Sequence, residues 1–243
     1  MRRHHRAGYW RYYRNSLRIL SPRAEAITMS LFILDNELIF PPAQFAEPDG
    51  LLAIGGDLSM ERLLLAYRQG IFPWYEGHHI LWWCPDPRFV LFPDELKVSK
   101  SMRQLIRRKA FDFRINGDFR QVIGQCKTVS RRGQESTWIT DEVREAYIRL
   151  HEAGHAYSAE AWQDGELVGG LYGIRMGSVF FGESMFSRAS NASKYAFICY
   201  VQQLQAEGVQ LIDCQVYTEH LESLGAQMIP RDQFLLLLDR LMD

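Results

Sequence analysis

The chain has 243 residues, of which 47% are hydrophobic and 13% aromatic, and its formal net charge is −1. This length and apolar content are enough for a large domain and a smaller one beside it. No run of about 20 uncharged apolar residues is present, so the sequence predicts no membrane span. The four cysteines form no CxxC pair, which favours reduced thiols in a cytoplasmic protein over a disulfide framework or a zinc site.

Because the net charge is close to zero, any contact with nucleic acid requires a local basic patch. Residues 1–28 contain such a patch, with seven arginines against a single acid, Glu25, and aromatic residues between them. One interpretation is an RNA-binding arm. The other is a basic leader, either disordered or part of a reading frame that starts upstream of the true initiator, Met29. We favour the leader, since basic arms are usually solvated extensions.

Residues 29–88 predict a small N-terminal α/β domain. Short apolar runs at 31–34 and 38–40 indicate extended chain that is interrupted by turns. Ser59 has the position of a helix N-cap, and we expect a helix over 60–69.

Residues 89–243 predict a larger domain that mixes strands and helices. Thr140 is the predicted N-cap of a helix that ends at Gly154, and the Asp164-Gly165 turn predicts a hairpin. The other predicted elements, in chain order, are a strand from residue 89, a helix over 99–109, hairpin strands over 156–162 and 167–174, a strand over 178–186, a helix over 193–207, a strand over 209–216 and a short helix over 220–224.

This order of strands, a helix and a further strand resembles that of the GNAT acetyltransferase superfamily. It predicts an α+β fold with a GNAT-like mixed sheet in the C-terminal domain, although a fold does not decide a function. A CoA-dependent member would carry glycines in the loop before the central helix, where backbone amides approach the pyrophosphate. Residues 188–193 read Arg-Ala-Ser-Asn-Ala-Ser, without glycine, which weakens the CoA hypothesis.

Residues 151–155 read His-Glu-Ala-Gly-His and match the H-E-x-x-H signature of zinc proteases. Zinc binding would need His151 and His155 one turn apart on a continuous helix. Gly154 is a strong helix terminator, and residues 156–159 already have the pattern of a strand. We therefore interpret both histidines as residues near a helix C-terminus and predict no metal site.

Six segments of the chain form a recognisable pattern: Gly50–Leu58, Gly70–Trp74, Trp82–Arg88, Thr137–Thr140, Phe181–Ser187 and Leu211–Gln215. One segment alone would be weak, but their order and conjunction are specific. Together they resemble the leucyl/phenylalanyl-tRNA–protein transferase family, over nearly all of the chain from Pro41 onward. The basic leader is outside the family pattern, and the chain ends soon after Leu241 without the Pro/Phe-rich tail of some relatives.

The resemblance implies transfer of Leu or Phe, with Met as a further candidate, from aminoacyl-tRNA to the N-terminal α-amino group of proteins that begin with Lys or Arg. The product would carry an N-degron. Because the ester is already activated, the resemblance implies no ATP, metal or redox cofactor. The enzyme has mainly to bring amine and carbonyl together and to manage one proton. We expect a monomer.

Asp213 and Gln215 alternate along their strand and share a face by strand period. Burying two polar groups costs free energy, so they either anchor the following loop or form the floor of an active site. With the resemblance, we expect Gln215 to orient the amine and Asp213 to polarise or position it. Glu183 would belong to the same centre and pair with the cationic side chain of the acceptor. By strand period the Glu183 side chain should point to the same face of the sheet as Phe181, unless Gly182 forms a bulge.

The resemblance also implies a hydrophobic slot for Leu or Phe and aromatic contacts with the terminal adenosine. Trp138 and Tyr67 are the expected adenosine contacts, because rings stack on a base without reading sequence. Tyr147 is interpreted equally well as a binding residue or as core. Each slot residue taken alone is better explained as ordinary core, and only the resemblance supports the set. The implied set is Trp74, Leu171, Phe180, Met185 and Phe197.

Basic residues concentrate on and around the predicted helix over 99–109. Positions 100, 103 and 107 are spaced to share one helix face, which is either a solvated surface or a phosphate track for the tRNA acceptor stem. We favour the track in a chain of nearly neutral charge. The residues are Lys97, Lys100, Arg103, Arg107, Arg108 and Lys109.

Two other functions stay open. A GNAT-type acyl-CoA N-acyltransferase would bind CoA tightly but would lack its usual glycine loop. A non-catalytic RNA-binding module would explain the arginine-rich leader and the basic helix. It would not explain Asp213, Gln215 and Glu183 beside an apolar slot.

Overall fold

A computed structural model describes residues 31–128 and 138–242. The basic leader, residues 1–28, and Thr137 of the family pattern lie outside the described residues. The described chain is α+β with two mixed sheets, so the predicted fold class is confirmed. Within the described ranges, no helix combines the length and the apolar character that a membrane crossing requires.

The first sheet is built from β1 Phe32–Leu34, β2 Leu51–Gly55, β3 Phe72–Pro73 and β4 Leu81–Trp83. Its order is β1-β2-β4-β3, with a parallel β1–β2 pair and antiparallel neighbours elsewhere. Helix α1 spans Met60–Arg68, and the Ser59 side chain accepts a hydrogen bond from the backbone N–H of Arg62. The predicted helix and its N-cap are therefore confirmed.

The second sheet is built from β5 Arg88–Leu91, β6 Asp112–Ile115, β7 Ala156–Gln163, β8 Glu166–Met176, β9 Val179–Ser187, β10 Leu211–Gln215 and β11 Gln227–Ile229. Its order is β11-β5-β10-β9-β8-β7-β6. All neighbours are antiparallel except β9 and β10, which run parallel.

The remaining α-helices are α2 Lys100–Arg107, α3 Phe119–Thr128, α4 Asp141–Glu152, α5 Ala192–Ala206, α6 Glu219–Glu222 and α7 Arg231–Leu241. Short 3-10 turns lie at Ala43–Phe45 and Pro93–Glu95. The predicted hairpin, the strand that follows it, the central helix and the strand after it are confirmed with small shifts at their ends. The predictions missed β2, β3 and β4 in the first sheet and β6, β11, α3 and α7 elsewhere, and the extended run expected at 38–40 is not a strand. Short apolar runs do not distinguish strand from helix by periodicity alone.

The seven-stranded sheet separates two hydrophobic cores. The first core lies between one face of this sheet and α1, α3, α4, α7 and the four-stranded sheet. The second core lies between the opposite face and the helices α2 and α5. The predicted boundary after residue 88 falls inside β5, one residue after this strand of the second sheet begins. Because the first core joins both sheets, the division into two domains stays a prediction.

The histidine motif has the geometry expected of a helix end. Helix α4 ends before Gly154, whose φ is +81°, so His155 lies beyond the helix as predicted. His151 Nδ1 lies 2.8 Å from the carbonyl oxygen of Ala156, and its ring stacks on Phe119 at a centroid distance of 4.3 Å. The two histidines therefore do not share a helix face that could present them to one ion.

Helix α5 approaches the sheet closely at a glycine of β8. A Cβ atom at Gly169 would lie 2.6 Å from the Cβ of Ala192 and 2.7 Å from the backbone nitrogen of Ser193. Since backbone atoms at these distances cannot move aside cheaply, the absence of a side chain at this position sets the distance between the helix and the sheet.

We expect Gly169→Ala to lower the free energy of unfolding by about 1–3 kcal/mol, because overpacking displaces backbone. The matched control is Gly124→Ala in α3, where a Cβ meets nothing within 4 Å. That substitution should raise stability by roughly 0.5–1 kcal/mol, because glycine weakens a helix interior. Urea unfolding followed by circular dichroism measures both variants. Equal stability of the two variants would contradict the close approach at Gly169.

Candidate active site

Side chains from three other elements converge on the carboxylate of Glu183 in β9. Glu183 Oε1 accepts a hydrogen bond from the Tyr67 hydroxyl at 2.8 Å and another from Gln215 Nε2 at 2.9 Å. Glu183 Oε2 accepts a hydrogen bond from the Tyr147 hydroxyl at 3.0 Å, and the two hydroxyls lie 2.5 Å apart. These four residues, from β9, β10, α1 and α4, form the carboxylate cluster.

Burial makes the Glu183 carboxyl a weaker acid than an ordinary glutamate. Its pKa is raised to about 7, chiefly by burial and further by the charge of Asp213, although the hydrogen bonds from Tyr67 and Tyr147 act to lower it. A glutamate in water has a pKa of about 4.3. The side chain keeps partial access to solvent. It can therefore accept and release a proton near neutral pH.

Glu183 lies at an irregularity in β9. Gly182 and Ser184 pair with consecutive residues of β8, so Glu183 is an extra residue between them, as in a β-bulge. Its contacts with two tyrosines of the first core keep it on the side of Phe181. Glu183 thus lies on the same face of the sheet as Phe181, as the sequence predicted. A bulge is present, but it is at Glu183 and not at Gly182.

Both tyrosines of the cluster belong to the first core and are fully buried. Tyr67 packs on Phe181 at a centroid distance of 5.1 Å, and Tyr147 packs edge-on against Tyr172 at 5.6 Å. Burial, with the nearby Glu183 charge, raises the pKa of both phenols well above the ordinary value, so they stay protonated donors. The predicted stacking of Tyr67 on adenosine does not fit this burial, because α1 directs the ring inward.

Asp213 is held in an ion pair below the cluster. It is fully buried, and its Oδ1 and Oδ2 accept hydrogen bonds from Arg88 Nε at 2.8 Å and Nη2 at 2.6 Å. Asp213 Oδ1 also accepts the backbone N–H of Gln215 at 2.9 Å. The predicted direct contact between Asp213 and a substrate amine does not fit this geometry, because the carboxylate is inaccessible and already bound.

Gln215 reaches Glu183 through an irregular backbone. The pairing of β10 with β5 skips Cys214, and Gln215 has a φ of +62°, in the left-handed region. The simple strand period that placed Asp213 and Gln215 on one face therefore fails at this bulge. The two residues nevertheless meet, because the Asp213 carboxylate binds the Gln215 backbone while the Gln215 side chain turns to Glu183.

Arg88 is the residue that sequence reasoning missed. It begins β5, is fully buried, and its guanidinium carbon lies 4.7 Å and 4.6 Å from the ring centroids of Phe72 and Phe234. A signal was present in the sequence. A buried aspartate in an apolar strand requires a cationic partner, and Arg88 is followed at once by the apolar residues of its strand.

Four of the five predicted slot residues belong to the second core, and we call them the slot cluster: Leu171, Phe180, Met185 and Phe197. Leu171 and Met185 are direct partners in the β8–β9 pair, and Met185 is partly exposed. Trp74 belongs instead to the first core, where it packs near Trp83 at a centroid distance of 5.8 Å. Trp138, expected to contact adenosine, is also buried in the first core.

The predicted basic helix is α2, whose N-cap is Ser99. Met102 anchors it in the second core, which leaves the basic residues on the outside. All six predicted residues are exposed: Lys97, Lys100, Arg103, Arg107, Arg108 and Lys109. In residues 31–128 and 138–242, no salt bridge involves any of them. Their charge therefore faces solvent on the same side of the sheet as the slot cluster.

Comparison with known proteins identifies the family. The model described as leucyl/phenylalanyl-tRNA protein transferase matches residues 90–239, and the model of the N-terminal domain of this family matches residues 56–86. A leucyl/phenylalanyl-tRNA–protein transferase of Syntrophus aciditrophicus is 57% identical over 207 residues, which cover 85% of this chain and 87% of the relative. One of Flavobacterium johnsoniae is 55% identical over 209 residues, which cover 86% and 99%.

Solved structures show only a distant likeness. The structure of L-PGS from Bacillus licheniformis is 14% identical, with a TM-score of 0.38, over 71% of this chain and 57% of that chain. A GCN5-related N-acetyltransferase-like protein from Streptococcus suis is 12% identical, with a TM-score of 0.36, over 66% and 59%. Neither likeness bears on the activity of this chain.

The family, by contrast, is decided by sequence identity above one half along most of both chains. The resemblance drawn from the six segments is confirmed. This chain belongs to the leucyl/phenylalanyl-tRNA protein transferase family and is an aminoacyltransferase.

Proposed function

We propose that this enzyme moves Leu or Phe from aminoacyl-tRNA to the N-terminal α-amino group of proteins that begin with Lys or Arg, and so creates an N-degron. The carboxylate cluster is the observation that carries this proposal. It holds a glutamate with a pKa of about 7 between two phenols and an amide. Such a group suits a reaction in which a single proton leaves an amine near neutral pH.

The proposed reaction forms a C–N bond and breaks the ester C–O bond. The acceptor α-amino group has an ordinary pKa of about 7.7–8.0, so part of it arrives as ammonium and has to lose a proton before attack. Glu183 takes this proton and afterwards releases it to solvent. The attacking nitrogen loses a second proton as the amide forms, and this second proton passes to the departing ribose oxygen. In its ionised form the same carboxylate attracts the cationic acceptor. Gln215 donates through Nε2 to Glu183, and its amide oxygen then accepts a hydrogen bond from the amine.

The acidity of Glu183 supports its assignment as the proton acceptor. Proton transfer from the α-ammonium to a carboxylate with a pKa of about 7 is uphill by roughly one unit, which is about 1.4 kcal/mol. Asp213, by contrast, is inaccessible and bound to Arg88. We therefore assign Asp213 a supporting position and Glu183 the proton.

The donor side of the proposed site is the slot cluster. Met185 is unbranched and can adapt to an aliphatic or an aromatic guest. Helix α2 packs on the same second core, so an acceptor stem whose phosphates bind its basic face would lie on the slot side of the sheet. Trp74 and Trp138 stay candidates for contacts with the aminoacyl-adenosine end.

We further propose a cytoplasmic monomer that needs no cofactor, since the ester supplies the driving force. All four thiols are free, and Cys84 and Cys126 are buried, which supports a reducing compartment. The loop before α5 favours aminoacyl-tRNA over CoA. There the Ser187 hydroxyl accepts the backbone N–H of Ser193 at 3.2 Å, so a side chain of the loop already occupies this first-turn amide.

Incubation with labelled Leu-tRNA tests the proposed function. We expect label on a reporter protein that begins with Arg, and much less on a matched reporter that begins with Ala. Absence of label from both reporters would contradict the transfer activity. Equal labelling of both would contradict the acceptor specificity only.

The acid limb of the activity profile should report the ionisation of Glu183. Because only the ionised carboxylate takes a proton, kcat/KM should rise as pH passes through about 7. Tyr67→Phe and Tyr147→Phe each remove a hydrogen bond that lowers this pKa. Each variant should therefore move the acid limb to higher pH, by up to roughly one unit.

The matched control for these variants is Tyr157→Phe, which removes a hydroxyl bound to the carbonyl oxygen of Gly154, outside the carboxylate cluster. Its acid limb should coincide with that of the wild type. Profiles of kcat/KM at saturating acceptor provide the measurement. An acid limb that stays in place in both cluster variants would exclude Glu183 as the titrating base.

Neutralising the basic helix should weaken tRNA binding without changing the amino-acid preference. We expect Arg103→Gln with Arg107→Gln to raise KM for Leu-tRNA and Phe-tRNA alike, with little change in kcat, because phosphates carry no sequence information. The log–log salt dependence should flatten by roughly one unit for each lost contact. Arg149→Gln with Arg240→Gln, two exposed arginines of other helices, is the matched control. A changed preference between Leu and Phe with an unchanged salt slope would show that α2 lines the slot.

A further inference from the structure

We infer that Arg88 is a positioning residue for aminoacyl transfer. Through the Asp213 carboxylate, it fixes the backbone of Gln215 and thereby directs the Gln215 side-chain amide to Glu183. This inference rests on the proposed function, in which Glu183 and Gln215 receive the acceptor amine. It assigns a role in the reaction to a residue that touches no substrate.

The guanidinium of Arg88 is held by two hydrogen bonds and two aromatic rings, while its Nη1 is buried without a hydrogen-bond partner. Its Nε and Nη2 bind the two oxygens of Asp213 in a fork, and the side chain is fully buried. The rings of Phe72 and Phe234 lie 4.7 Å and 4.6 Å from its central carbon. A planar, bidentate cation held between rings leaves the carboxylate a single orientation.

That orientation is transmitted to Gln215. Asp213 Oδ1, which accepts from Arg88, also accepts the backbone N–H of Gln215 at 2.9 Å. Gln215 has a φ of +62°, a left-handed conformation that is unfavourable for a residue with a side chain. A hydrogen bond from a fixed carboxylate stabilises this conformation. In the observed conformation, the Gln215 side-chain amide donates to Glu183 Oε1 at 2.9 Å.

Stability alone does not account for the ion pair. Replacing a buried ion pair with apolar residues of similar volume is often neutral or stabilising. The pair is therefore better explained by what it orients than by the energy of the fold. It joins β5 to β10 at the point where the backbone of β10 becomes irregular and carries Gln215.

A double-mutant cycle tests this inference. Arg88→Lys keeps the positive charge but loses the fork, so we expect kcat for Leu transfer to fall about tenfold. KM for Leu-tRNA should stay within about twofold, because the slot and the basic helix are unchanged. Gln215→Ala removes the oriented amide itself. If Arg88 acts through Gln215, the double variant should be no slower than Gln215→Ala alone.

The controls separate positioning from a general structural role. Arg175→Lys alters another arginine of the same sheet, which forms a salt bridge with Glu207, and should leave kcat unchanged. Circular dichroism gives the folded fraction by which all rates are corrected. Should Arg88→Lys not fold, the neutral amide pair Arg88→Gln with Asp213→Asn enters the same cycle, since it retains an acceptor oxygen for Gln215.

Three results would overturn the inference: wild-type kcat in the folded Arg88 variant, losses that multiply in the double variant, or a loss confined to KM. Failure of the proposed function is distinguishable, because the wild-type enzyme would then transfer no Leu in the same assay. In that case the side-chain amide signal of Gln215 in ¹⁵N NMR still decides. We expect it to shift in Arg88→Lys and to stay in place in Arg175→Lys.

Discussion

The buried ion pair between Arg88 and Asp213 is the constraint on which the site depends. A charge without access to water needs a partner of opposite charge, so both side chains have to meet when β5 pairs with β10 in the seven-stranded sheet. Phe72 comes from the four-stranded sheet and Phe234 from the C-terminal helix, and both rings cover the guanidinium. The pair therefore joins the two sheets and α7 directly beneath the backbone of Gln215.

The site forms where two parallel strands stop pairing. Strands β9 and β10 are hydrogen-bonded only as far as Phe181 and Asp213. Immediately afterwards both strands become irregular, and the irregular segments carry Glu183 and Gln215. Bulges at this position re-aim side chains without disturbing the rest of the sheet. The two functional residues can thus meet while the surrounding strands keep both cores intact.

The two faces of the large sheet supply different parts of the proposed reaction. The first core provides the two phenols, whose burial keeps them protonated and able to donate to Glu183. The second core provides the slot cluster and anchors the basic helix. In the proposed reaction, polar chemistry and apolar recognition therefore belong to opposite faces of the sheet. The pKa of the Glu183 carboxyl is raised chiefly because this group is buried beside the phenols.

The sequence by itself determined the elements with local signals: Ser59 and Thr140 cap the predicted helices, and the Asp164-Gly165 turn joins the predicted hairpin. It also determined the family, because the order of the motifs along the chain can be recognised without knowing which residues are in contact. Only the tertiary structure decided that Asp213 binds Arg88 and that bulges redirect the strand faces. Caps and turns arise from hydrogen bonds within a few residues of chain. The partner of a buried charge and the register of a sheet depend on residues that are distant in sequence, and no local pattern records which of them meet.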